Sequence, residues 1–215
     1  MNKVGKEGKK GNKASRYLLI GVLFLFGATV INTLSHREEK ILLATGRMFD
    51  RIFMKTVLIV GGNWVTGWSG VIINKPLNEA EKVELPESIR NLNREIGFGG
   101  PVGFPDTYYV LERHENKTTG TVRHVLREWN AAVRDRPDLP DLIRQDTTTP
   151  YRYRIFAGFS SWAPLQLENE FTMLNGWEDM AVDLDLIWNP GTDASWEAIQ
   201  SRNLEKRLKL SRQAL

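Results

Sequence analysis

Along the first sixteen residues no apolar period is visible. Lys3, Lys6, Lys9, Lys10, Lys13 and Arg16 stand against Glu7 among glycines, the pattern of a disordered cationic arm. From Tyr17 to Leu34 the pattern inverts, and YLLIGVLFLFGATVINTL carries no charge over 18 residues. At about 1.5 Å per residue that length is near the lower limit for crossing a hydrocarbon core of roughly 30 Å. A transmembrane signal-anchor, a cleaved signal peptide and a buried helix all accommodate an apolar run. Length and flanks favour the anchor: Thr33-Leu34-Ser35 is a weak cleavage exit, and a run apolar on every face beside a charged arm is a poor core helix. Lys9, Lys10, Lys13 and Arg16 precede the span against Arg37 and Lys40 after it, which places the N-terminus in the cytoplasm. The expected location is therefore the inner membrane, single-pass, contacting lipid through residues 17–34 with the domain on the periplasmic side. A window of about twenty residues adds Arg47, Arg51 and Lys55 and nearly cancels the bias.

Residues 35–40 form a charged joint, and the pattern beyond it is that of short elements in one domain over 41–200, with a basic tail over 201–215. β-Branched apolar content predicts strands over Ile41–Gly46, Lys55–Val60 and Gly70–Asn74. Pro86 can start a helix, Pro86–Leu92, and Thr107–Arg113 alternates as a strand. Val122, Val125, Trp129 and Val133 have helical spacing, predicting a helix over Val122–Arg134. Tyr151–Phe159 reads as a strand with Tyr153, Ile155 and Ala157 on one face and Arg152, Arg154 and Phe156 on the other. Pro164 then suits a first helical turn, with Leu167, Phe171 and Leu174 as its stripe. Met180–Leu184 reads as a last strand, and Asp193 as the cap of a helix from Ala194 towards Lys209. The order predicts an α+β domain rather than a βαβ series.

Charge changes the picture once it is divided. The chain carries +3, but residues 1–40 hold 8 Lys/Arg against 3 acids, whereas residues 41–215 hold 21 against 23. The domain is thus slightly acidic, a poor match to the phosphate-neutralising surface that dominates nucleic-acid affinity. The absence of cysteine excludes disulfides, thiolate metal sites and a cysteine nucleophile.

Four segments in order resemble the YqgE/AlgH family: Gly70-Val71-Ile72-Ile73-Asn74-Lys75-Pro76-Leu77, Gly99-Gly100-Pro101-Val102, the stretch from Phe156 to Glu170 (FAGFSSWAPLQLENE), and Trp196. The resemblance covers roughly residues 40–200. It implies a single α/β domain with an irregular sheet partly closed into a barrel and flanked by helices. Members are often labelled transcriptional regulators, but no reaction, ligand or DNA site is carried over. Two departures matter. Gly61 and Gly62 stand where the family's loop often has Glu-His, and the N-terminal arm and span are additions.

Individual motifs have bland readings beside their functional ones. Gly62-x-x-x-x-Gly67-Trp68-Ser69 has the outline of a P-loop, yet Trp68 replaces the lysine and a strand follows, so a hairpin loop is expected. Gly99-Gly100 suits a backbone needing close approach, or an anion nest near Lys75; Asn74 bonds backbone or a ligand. Trp162, Gln166 and Glu170 converge where a strand ends and a helix begins, either as a pocket or as a core anchor with dipole-favoured acids. Ser160 and Ser161 lack a Gly-x-Ser-x-Gly elbow, and His114 and His124 have no recognisable partner. Asp183, Asp185 and Glu170 could face a hard cation, though a solvated edge reads equally from the spacing. The leading expectation is a non-enzymatic binding or regulatory module with an unknown protein or small-molecule partner, through Asn74, Lys75, Gly99, Gly100, Trp162, Gln166 and Glu170, and no cofactor. Its rivals are a hydrolase-like enzyme using Trp162 and Glu170, and a regulator binding nucleic acid, against which the acidic domain speaks.

Overall fold

Nine strands order the described residues, which in this computed structural model are 38–148, 151–180 and 196–213. They are β1 (Glu38–Ala44), β2 (Val57–Asn63), β3 (Gly67–Ile72), β4 (Ile96–Phe98), β5 (Tyr108–Glu115), β6 (Val122–Glu128), β7 (Tyr153–Ala157), β8 (Ser160–Trp162) and β9 (Trp177–Asp179). The helices are α1 (Glu79–Val83), α2 (Glu87–Arg90), α3 (Trp129–Asp135), α4 (Leu139–Gln145), α5 (Gln166–Thr172) and α6 (Trp196–Gln213). One sheet has five strands in the order β8-β3-β2-β1-β9, and the other four in the order β4-β7-β5-β6.

Alternation along the central strands explains the layers. Leu42, Leu58, Val60 and Ile72 face one side of the five-stranded sheet and pack with Trp68, Trp162, Leu167 and Trp177. Their neighbours Leu43, Val57 and Val71 face the other side, where they meet Leu111 and Phe156 of the second sheet and Ile199 of α6. Each such side chain contributes about 1.5–3 kcal/mol on burial. On the far face of the second sheet, Val110, Tyr153 and Ile155 pack against Ile89, Leu139 and Ile143 from the helices and Leu85 from the turn between α1 and α2.

The α+β class holds, with Tyr153, Ile155 and Ala157 sharing one face as expected. The partly closed barrel is corrected: the structure has two separate open sheets. The chain leaves β7 through Gly158, whose φ of 72° redirects it into β8 of the other sheet, where a continuous strand 151–159 was expected. The helix over Val122–Arg134 is also corrected. Residues 122–128 form β6, in register with β5 from Tyr109↔Glu128 to Glu115↔Val122, and only 129–135 are helical. The turn decides it: Asn116 Oδ1 accepts from the Thr118 and Thr119 N–H groups and Gly120 takes φ 68°, so a hairpin claims the β-branched residues that follow. Leu174 falls beyond the end of α5 at Thr172 and is exposed, so the stripe is Leu167 and Phe171.

Several expected boundaries shift. β1 starts at Glu38, inside the stretch read as a joint, and α6 runs on to Gln213 through the stretch read as a tail. The last strand among the described residues is Trp177–Asp179, and beside it the Met180 N–H donates to Ile41 O at 2.8 Å; the rest of the strand expected over Met180–Leu184, and Asp193, lie outside the described residues. So does the expected span, 17–34. Among the described residues no helix is long and apolar enough to cross a membrane, and the expectation of a single-pass inner-membrane protein is corrected on that finding.

Candidate functional site

The Phe156–Glu170 stretch ends in a helix whose two glutamates serve tryptophans. Glu170 Oε2 accepts the indole N–H of Trp162 at 3.1 Å and that of Trp177 at 2.8 Å, while Oε1 accepts from Gln166 Nε2 at 3.0 Å. Gln166 in turn accepts from the Ala163 N–H through Oε1 at 3.1 Å. Two residues back, Glu168 Oε1 accepts the Trp68 indole N–H at 2.7 Å. Spacing dictates this division: residues two apart on a helix point to different sides, so Glu168 reaches β3 and Glu170 reaches β8 and β9.

The indoles are held from the other side by the loop that follows β1. Phe53 lies 5.5 Å from Trp162 and 5.6 Å from Trp177, and those two rings are 6.1 Å apart, edge to face at 82°. Such pairs add about 0.5–1.5 kcal/mol each beyond burial. Lys40 places its ammonium 5.0 Å from the Trp68 ring centroid.

Asn74 and Lys75 belong to this assembly indirectly. Asn74 Oδ1 accepts from the Val57 N–H at 2.7 Å and its Nδ2 donates to Lys55 O at 3.0 Å. Lys75 Nζ donates to Ile52 O at 2.6 Å. Both side chains therefore fix the 50–57 loop that presents Phe53, and neither bonds the backbone of its own turn. Burial lowers the Lys75 pKa, opposed by the charge of Asp50.

Gly99 and Gly100 build the seam between the sheets. The Gly99 N–H donates to Ala157 O at 2.7 Å and Gly99 O accepts from Ile72 N–H at 2.8 Å, while Phe98 N–H donates to Lys75 O at 2.8 Å. A Cβ on Gly99 would overlap Gly158 O, and one on Gly100, at φ 148°, would overlap Phe159 O. Of the two readings of Gly99-Gly100, the close approach of backbone has this geometry behind it: the Gly99 N–H is taken by Ala157 O, and the Lys75 ammonium is turned to the 50–57 loop. The segments that carry the family resemblance converge because 72–76, 97–100 and 157–162 lie side by side.

The catalytic alternatives fare differently. Ser160 is buried and its Oγ donates to Gly99 O at 3.4 Å, whereas Ser161 is exposed. His114 does have a neighbour, Glu112, at 3.5 Å; that buried carboxylate pairs with Arg136 at 2.7 Å, and Arg136 also donates to the Tyr153 hydroxyl at 3.2 Å. His124 sits on β6 opposite Arg113 rather than on a helix. The P-loop outline is the β2–β3 hairpin, where Asn63 Oδ1 accepts from the Val65 and Thr66 N–H groups at 3.0 and 2.8 Å. Among the described residues no group of three or more His, Asp or Glu side chains could hold a metal ion; Asp183 and Asp185 lie outside them.

Sequence reading missed Phe53, Trp68 and Trp177, which pattern alone does not join to Trp162, and it took Glu168 for a dipole-favoured acid where the structure gives it the Trp68 indole. It also missed the rim, where Leu165 N–H donates to Trp64 O at 3.1 Å and both side chains are about half exposed, at 51% and 47%. Leu165 takes φ 64°, a conformation rare for a branched side chain.

A fold of two sheets, with an indole–carboxylate network on the face of the five-stranded sheet turned away from the second sheet, defines a small α+β domain. Residues 41–206 match the AlgH-like family (DUF179), and the chain belongs to it. A UPF0301 protein of Chlorobium phaeobacteroides is 25% identical over 173 residues, 80% of this chain and 90% of the relative. One of Chlorobaculum tepidum is 31% identical over 136 residues, 63% of this chain and 70% of the relative. The solution structure of the AlgH protein from Pseudomonas aeruginosa superposes with a TM-score of 0.48 at 23% identity, over 80% of this chain and 85% of that one.

Proposed function

We propose that this domain is a non-catalytic binding or regulatory module that takes a protein or small-molecule partner at the rim of the Trp162–Glu170 network. The observation that supports it most is the use of Glu170: both carboxylate oxygens are engaged, by two indole N–H groups and one amide. An indole is a donor that does not exchange its proton in acid–base work, so a carboxylate held this way is a structural acceptor rather than a general acid or base. The same network holds α5 rigidly and leaves Trp64, Leu165 and Gln166 facing solvent beside it, an apolar and hydrogen-bonding rim on a fixed support. Nucleic acid is the weaker partner because the domain is slightly acidic.

The test compares the full chain with a rim variant, Trp64→Ala with Leu165→Asp, in crosslinked affinity capture and in a thermal-shift screen of small molecules. A partner or ligand held by the natural chain and lost from the folded rim variant is the expected result. Hydrolysis of an ester, amide or phosphoester panel that disappears in Glu170→Gln would replace this reading with the enzyme.

A further inference from the structure

Helix α6 is seated on the domain at its start and free along one face of its end. Ile199 and Asn203 are fully buried, the Trp196 indole donates to Ala44 O at 2.9 Å, Glu197 pairs with Lys55, and Arg207 meets Glu178 at 2.8 Å. On the opposite face Leu204 and Leu208 stand one turn apart, 60% and 49% exposed. Lys209 and Arg212 flank them, exposed and without an ion pair among the described residues. Residues 207–213 lie beyond the family match, which ends at 206.

The molecule carries a complement elsewhere. On α1 and the start of α2, Val83 is 75% exposed and is surrounded by Glu79, Glu81, Glu84 and Glu87. Glu79 is paired with Lys82, and Glu81 closes a capping box on Asn78, but Glu84 and Glu87 are exposed and carry no ion pair among the described residues. This surface is anchored through Leu85 and Ile89 in the core over the second sheet, whereas α6 is anchored through Ile199 between the sheets. Because Leu204, Leu208 and Val83 are all exposed, the two surfaces do not cover each other within one chain.

We propose that the free face of α6 docks on the α1–α2 surface of a second copy of this chain. Leucines meet Val83 at the centre, and Lys209 and Arg212 meet Glu84 and Glu87 at the rim, an apolar centre with complementary charge around it. Two α6 helices cannot serve each other, since five basic residues from Arg202 to Arg212 stand against Glu205 alone. The surfaces differ, so the contact is heterologous: it closes when each copy lends its helix to the other, and extends into a chain of copies when it does not.

Sedimentation velocity of the full chain at low and high salt tests this with two charge-reversed variants, Lys209→Glu with Arg212→Glu and Glu84→Lys with Glu87→Lys. The natural chain is expected to self-associate, less so as salt rises. Each variant alone should lose about tenfold or more in association constant, and their equimolar mixture should regain it, because each reversed surface then finds its opposite. Recovery in the mixture shows that both variants are folded and separates this contact from any association through residues 17–34, which the reversals leave intact. A monomer at every concentration, an association unchanged by either reversal, or a mixture that fails to recover overturns the proposal.

Discussion

The Trp162 indole N–H and the Glu170 carboxylate meet at 3.1 Å, and the oxygen that accepts it also accepts the Trp177 indole at 2.8 Å. From its place on the first turns of an amphipathic helix, Glu170 would be worth under about 1 kcal/mol, the scale of a dipole interaction. Its partners raise that expectation. In Glu170→Gln the amide oxygen can still serve the indoles, but the new NH₂ then faces the Gln166 NH₂, and Gln166 is held from turning by the Ala163 N–H on its oxygen. A cost of about 1–3 kcal/mol is expected, read as a shift in the urea midpoint at unchanged slope.

Trp162 contributes mainly through packing. It is buried against Phe53, Trp177 and the β3 face, so Trp162→Ala should cost about 3–5 kcal/mol, more than Glu170→Gln. Trp162→Phe separates the two contributions: it keeps most of the ring and loses the N–H, and should fall near the Glu170→Gln value. A Trp162→Ala cost at or below that of Glu170→Gln, in the same denaturation series, would place the weight on the carboxylate instead.

How much of this was legible depends on whether the deciding partner is local. The strands through Leu42 and Leu58 were readable from a local run of β-branched and apolar residues, and the one through Ile155 from alternation, which reports a buried face directly. Residues 122–128 were not, since Val122, Val125 and Trp129 fit a helical period equally well and the choice was made by pairing with β5 across a turn. Trp162, Gln166 and Glu170 were singled out together by their nearness in sequence, and they do meet. Phe53 and Trp177 join them from 109 residues before and 15 after Trp162, through sheet pairing that no short pattern encodes. Asn74 and Lys75 were recognised as a polar turn, but their targets at Val57, Lys55 and Ile52 follow from the β2–β3 register.

Asp146 sets an acid dependence. Burial pushes its carboxyl pKa up, but donation from the Thr148 hydroxyl at 2.5 Å, the Arg152 N–H at 2.7 Å and the Thr148 N–H at 3.1 Å, with the charge of Arg94, holds it below the ordinary carboxylate value. A folded-state value below the unfolded one, about 3.9, gives stabilisation that is present above that pH and lost as pH falls through the folded value. The melting temperature of Asp146→Asn should therefore lie below that of the natural chain at pH 7, and the gap should narrow below about pH 4. A gap independent of pH would assign the effect to shape rather than charge.

The seam itself can be tested at one glycine with another as its control. Gly158 takes φ 72°, its N–H donates to Thr107 O at 2.7 Å, and a Cβ added there would overlap the carbonyl oxygen of Gly100. Gly120 takes nearly the same φ, 68°, at the tip of the β5–β6 hairpin, with nothing within 4 Å of an added Cβ. Alanine at Gly120 meets only the left-handed backbone cost, about 1–2 kcal/mol. At Gly158 the same cost is joined by a collision with backbone that cannot swing aside as a side chain would. Gly100 is itself confined, since a Cβ on it would overlap Phe159 O, so relief at one glycine moves the other strand into its neighbour. Forced overpacking of this kind costs about a further 1–3 kcal/mol or more. Gly158→Ala should thus be less stable than Gly120→Ala by at least about 1 kcal/mol in chemical denaturation, and its loss should spread, with faster amide exchange at Ile72, whose N–H crosses the seam to Gly99 O, and at Gly99, whose N–H is held by Ala157 O beside Gly158. Equal costs for the two alanines would mean that the seam yields without resistance, and the close approach of 99–100 to 158–159 would then not be what joins the sheets.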